Sequence, residues 1–236
     1  MNELTIIIIA SWLAGLAAVV GGIIAWTEAT PESETKREIT HGFIAFGGGI
    51  LVAAVAFALL PQGIAILSPV ILGIAFCAGG VLFCFLDAYL SRRGSSKAQF
   101  MAMLMDFLPE ALAFGAVFGQ DRRLGVLLAF FIGIQNLPEG FNSFREITAS
   151  GNKPRVTLTV LLLASLLGPL AACTGYFFLQ GQAKLTAVIM AFAGGGILYL
   201  IFQDIAPQAK MRRHWTPALG AVLGFAAGLL GKKLIG

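Results

Sequence analysis

The chain has 236 residues, of which 58% are hydrophobic and only 12% charged, with a mean hydropathy of +0.86. Ordinary soluble domains carry about 25% charged residues, and a water-soluble fold of this length could not cover so much apolar surface. The net charge of +4 comes without any basic patch interleaved with aromatics, so it reads as membrane topology and anionic headgroup contact, not nucleic-acid binding.

Eight apolar runs follow one another, at approximately 4–26, 42–61, 65–90, 98–119, 124–143, 156–180, 184–206 and 215–235. Each approaches the roughly 20 residues that cross a bilayer as helix. They are apolar all round, which excludes the alternating strands of a β-barrel. The expected fold is all-α: one polytopic domain, 1–236, of eight transmembrane helices. The first run opens on "MNELT", with Glu3 and no basic residue, and exceeds a secretory h-region, so it is expected to stay in the membrane. The longest loop, "TEATPESETKREITH" (27–41), is too short for a domain.

Basic residues set the orientation. Lys36, Arg37, Arg92, Arg93, Lys97, Arg145, Lys153, Arg155, Lys210, Arg212 and Arg213 fall in odd-numbered loops. Arg122, Arg123, Lys184, Lys232 and Lys233 fall in the even loops and the tail. Eleven against five puts the odd loops in the cytoplasm and both termini outside. A plasma or bacterial inner membrane is the expected location. Cys77, Cys84 and Cys173 all lie within spans, where small-residue packing explains them better than metal ligation.

Two pairs of segments repeat. "FGGGILVAAVAFALLPQG" (46–63) in span 2 resembles "AGGGILYLIFQDIAPQA" (193–209) in span 7, and "DFLPE" (106–110) in span 4 returns as "QNLPE" (135–139) in span 5. By the loop charges, each pair crosses in opposite directions. Antiparallel matching segments are the signature of inverted repeats, here arranged 3+2+3.

The pentapeptides carry the chemistry. Ionisable side chains at bilayer depth cost at least about 2.5 kcal/mol and mark function by default. Spacing of four residues puts Asp106 with Glu110, and Gln135 with Glu139, on one helix face each. Two such helices packed together would surround one cation. Pro109 and Pro138 strand the carbonyls of Met105 and Ile134, and locally unwound helices are expected there. Asp87 and Asp204 lie near span ends, where interfacial solvation and neighbouring arginines and lysines account for them. The competing reading of the deep acids is a structural hydrogen-bonded cluster.

The doubled Pro-Glu pattern resembles the ZIP (Zrt/Irt-like) metal transporters, whose fourth and fifth spans carry His-Asn-x-Pro-Glu. The resemblance includes the eight spans, "LLPQG" of span 2 and "ILYLIFQDIAP" of span 7. It implies uptake of a divalent metal (zinc, iron or manganese) toward the cytoplasm, with no enzymatic activity and no prosthetic group. It also implies a binuclear centre between spans 4 and 5, aided by spans 2 and 6, and frequent homodimers. The matching metal positions are Asp106, Glu110, Gln135, Asn136 and Glu139.

Departures are substantial. Asp106 replaces a histidine and Phe107 an asparagine. Gly168, in Ser165-Leu166-Leu167-Gly168-Pro169, stands where a bridging glutamate is usual, and "SRRGSSKAQ" lacks the family's histidine cluster. One ion is therefore expected rather than two, in an oxygen cage suited to harder cations. The alternatives are a non-transporting sensor or scaffold, a changed substrate, and an intramembrane hydrolase; the last leaves Gln135 and the Pro-Glu duplication without a role.

Overall fold

The computed structural model describes residues 2–28, 33–92, 98–212 and 214–235. Arg93, Lys97 and Arg213 of the charge count, and most of the loop between spans 3 and 4, lie outside them. Among the described residues, eight helices are long and apolar enough to cross a membrane: α1 (Glu3–Thr27), α2 (Glu34–Ile66), α3 (Pro69–Arg92), α4 (Ala98–Phe118), α5 (Arg122–Ala149), α6 (Pro154–Leu179), α7 (Ala183–Ala209) and α8 (Thr216–Ile235). The chain is an all-α polytopic membrane protein.

Several boundaries differ from expectation: α2 runs on to Ile66 and α3 starts only at Pro69, and two shifts are larger. Helix α2 starts at Glu34, inside the stretch read as a loop, because Ser33 caps it by accepting from the Lys36 backbone N–H at 3.1 Å. Its first turns are polar, "ETKREITH", so apolar periodicity alone misses them. Helix α5 runs on to Ala149 for the same reason.

The proline expectation is corrected more sharply. Helices α4 and α5 pass through Pro109 and Pro138 without unwinding. A proline costs one backbone hydrogen bond, and the remaining bonds of each helix carry it past that position. The irregular backbone lies elsewhere. One turn of π-helix interrupts α2 at Val55–Leu59 and another interrupts α7 at Ile201–Ile205, each just before the repeated Pro-Gln. Helix α6 breaks at Leu166, ahead of Pro169.

Packing follows the repeat. Helix α1 lies along α5 as α6 lies along α4, and α2 lies along α8 as α7 lies along α3; α4 and α5 pack on each other at the centre. Exchanging 1 with 6, 2 with 7, 3 with 8 and 4 with 5 maps this pattern onto itself. All four outer interfaces use one device, a glycine pressed on a facing carbonyl. Gly21 meets Leu137 and Gly140 meets Ala18; Gly115 meets Ala172 and Gly175 meets Leu112. Gly49 meets Ala221 and Gly224 meets Phe46; Gly79 meets Phe192 and Gly195 meets Phe76. Small residues let helix backbones approach where lipid supplies no hydrophobic drive.

The two ends of the bundle differ. Lys36, Arg37, His41 and Arg145 line one recess, and Arg37, Arg212 and His214 an adjoining one, so loops 1, 5 and 7 share a basic end. The opposite recess is lined by Gln62, Gln120, Asp121, Arg123 and Lys232.

Candidate metal site between the central helices

The two pentapeptides face each other across the antiparallel α4–α5 contact. Gln135 donates its amide N–H to Glu110 within the buried core. One turn away, the carboxyl groups of Asp106 and Glu139 lie close enough to interact. The repeat relates Asp106 to Gln135 and Glu110 to Glu139, so the pair Gln135·Glu110 is the image of Asp106·Glu139. Two-level pairing of this kind requires antiparallel helices, since a parallel pair would set Asp106 level with Gln135.

Asp106, Glu110, Gln135 and Asn136 are all at most 3% exposed, while Glu139 is half-buried. Buried polar atoms are nearly always hydrogen-bonded. Here Asp106 Oδ1, Glu110 Oε1, Gln135 Oε1 and both carboxylate oxygens of Glu139 are buried with no such partner. These five oxygens, all acceptors or anionic, sit where two helices meet. A cation bound between the helices would satisfy such a set, and a proton shared by Asp106 and Glu139 would satisfy part of it. The three acids do not by themselves form a finished shell: among the described residues, no three His, Cys, Asp or Glu side chains are arranged to hold a metal ion. Their division between two levels is the reason, so an ion would draw on Gln135 or shift a carboxylate.

Asn136 lies a helical step away from this face. Its Nδ2 donates to the Ala14 carbonyl at 2.9 Å, tying α5 to α1, and its Oδ1 is buried and unpaired. Phe107, its image on α4, turns toward α1 and α6: a Cβ built on Gly168 would stand 2.6 Å from Phe107 Cζ. The aromatic ring therefore fills the space beside Gly168, where the family resemblance implies a second metal's ligands.

A cavity of about 20 Å³, the room of a single water or ion, adjoins the lower pair. Asp106, Glu139, Asn142, Asp204 and Gln99 supply its polar lining. Sequence reasoning set Asp204 aside as a span-end acid. The π turn of α7 carries it to this cavity, and only the tertiary contact could have revealed that. The cavity lies toward the basic end, where the Gln99 backbone N–H donates to Glu146 Oε2 at 2.9 Å. Asp87 accepts from the Tyr199 hydroxyl at 2.9 Å and stays outside the site. Toward the other end, Phe114, Leu128 and Phe131 form a fully buried apolar layer between Glu110 and the recess of Asp121 and Lys232.

No model of a protein family matches the chain. Among curated proteins it is similar to the zinc transporter GufA of Myxococcus xanthus, 34% identical over 132 residues, 55% of this chain and 52% of that protein. It is also similar to the zinc transporter ZIPB of Bordetella bronchiseptica, 26% identical over 128 residues, 53% of this chain and 41% of that one. The chain thus spans about half the length of the curated relatives it matches. The resemblance to ZIP transporters carried by the paired pentapeptides agrees with both names.

Proposed function

We propose that this chain carries a divalent metal ion across the membrane toward the cytoplasm, through a site formed by Asp106, Glu110, Gln135 and Glu139. The observation that carries the reading is the convergence of five unpaired buried oxygens on two facing helices. Asn136 holds α5 on α1 and has Oδ1 left to offer an ion. The metal is cargo, and zinc heads the candidates because both similar proteins are named zinc transporters.

Access follows from the same geometry. The site adjoins a polar cavity toward the basic end, and on the other side the buried Phe114, Leu128 and Phe131 follow within two helical turns of Glu110 and Gln135. With the basic end cytoplasmic, this is a conformation poised for release inward. Uptake then requires the apolar layer to part while the basic end closes, a motion the repeat-related halves make by rocking.

Metal binding to the purified protein tests the site. Equilibrium dialysis with zinc and with manganese should give about one ion per chain, weakened more than roughly tenfold by Asp106→Asn or Glu139→Gln. Unchanged binding in both variants would remove the site from this face.

A further inference from the structure

A second concavity lies outside the acid site. A groove of about 850 Å³ runs between α2, α7 and α8 at the basic end. Its floor is Gly48, Gly49, Ile201 and Ile205, and Ala218 and Val222 form the α8 wall. Among the described residues, no acid lines it. The space is within the range of small-molecule sites, about 300–1,000 Å³, and is almost entirely apolar. At its mouth stand Lys210, Arg212 and Trp215, all exposed, Trp215 by 83%. The nearest acids on α2 are engaged: Glu34 Oε1 lies 2.9 Å from His214 Nε2 and Glu38 Oε2 3.7 Å from Nδ1. The mouth is left cationic.

An apolar slot within the membrane, opening beside two cations and an interfacial tryptophan, matches one chemistry. We propose that the α2–α7–α8 groove binds one anionic phospholipid, with an acyl chain along Gly48, Gly49 and Ile205 and the phosphate beside Lys210 and Arg212. Basic pockets between transmembrane helices on the cytoplasmic side recognise anionic headgroups in this manner, and tryptophan belongs at headgroup depth. Gly48 and Gly49 let α2 approach Ile205 of α7 and the Ala221 carbonyl of α8 closely, which keeps the base of the slot narrow. Gly48 and Ile205 also line the cavity of Asp106 and Glu139, so a lipid in the groove braces the outer wall of that cavity. The binding claim is independent of whether metal moves.

Trp215 supplies the readout. The sequence contains three tryptophans, and Trp12→Phe with Trp26→Phe leaves Trp215 as the sole emitter. In vesicles of phosphatidylcholine doped with brominated phosphatidylglycerol, Trp215 should be quenched at several-fold lower mole fraction than with brominated phosphatidylcholine. Lys210→Gln with Arg212→Gln should weaken the preference by about fivefold for each charge removed. Ala218→Phe, which fills the groove, should abolish it while the melting temperature holds. Equal quenching by the two lipids in the unsubstituted groove would overturn the proposal. So would a lipid-independent signal accompanied by a dimer that Ala218→Phe dissociates, since a second copy of the chain would then be the occupant.

Discussion

The Phe107 ring closes on Gly168, with Cζ only 2.6 Å from where a Cβ at Gly168 would stand. The two substitutions that remove ligands from the second metal position are therefore one packing unit. A Cβ at 168 would also stand 2.9 Å from the Ser11 backbone oxygen, so a smaller side chain at 107 relieves only part of the clash. Gly168→Glu alone should overpack the α1–α4–α6 contact and destabilise by about 1–3 kcal/mol. The pair Phe107→Asn with Gly168→Glu should recover part of that loss and raise metal stoichiometry toward two. Thermal melting and metal analysis on the single and double variants check both halves. Additive damage in the double variant would show that the two positions are not coupled.

Glycine contacts make the four outer interfaces, and they differ from glycines that merely occur in a span. A methyl at Gly115 would penetrate the Ala172 carbonyl oxygen, whereas nothing lies within 4 Å of one at Gly73. Gly115→Ala should lower stability by about 1–3 kcal/mol and Gly73→Ala should leave it unchanged. Detergent-solubilised melting curves compare them directly.

Much of this was legible in the residues, and the limits have physical causes. Helix count came from apolar length, and the pairing of α4 with α5 from a repeated polar pattern, because burying acids in a membrane is too costly to be incidental. Proline was misleading. Its local effect on Met105 and Ile134 suggests unwinding, yet α4 and α5 stay helical, and the irregular turns fall on Val55–Leu59 and Ile201–Ile205, several residues ahead of Pro61 and Pro207. Asn136 enters the site through the family resemblance and Asp204 is set aside by its span position. Their surroundings depend on contacts with α1 and α4 that no local pattern encodes.

In the proposed site, oxygen ligands would set the metal preference. Gln135 is the neutral member, held by its bond to Glu110. Gln135→His places an imidazole in the cage, and imidazole favours zinc over manganese. Competitive flux of the two metals should shift toward zinc in this variant. A ratio unchanged from that of the parent chain would mean that Gln135 does not touch the ion.

In the proposed site, protons and metal would compete for the same carboxylates, since a ligating carboxylate must be deprotonated. Asp106, Glu110 and Glu139 sum to −3 when ionised, and a divalent ion leaves −1. Acidifying the receiving compartment should accelerate release, and Asp106→Asn should blunt the effect. Stopped-flow metal release between roughly pH 5 and 8 measures it; a flat profile in the parent chain would separate transport from protonation.

Uptake into proteoliposomes, with zinc, manganese, iron and cadmium compared side by side, tests the central claim most directly. Flux of at least one divalent metal is expected, abolished by Glu110→Ala and by Glu139→Ala in variants that still insert and fold. Absence of flux for every metal under any gradient would contradict the account and leave the buried acids to a sensor or scaffold.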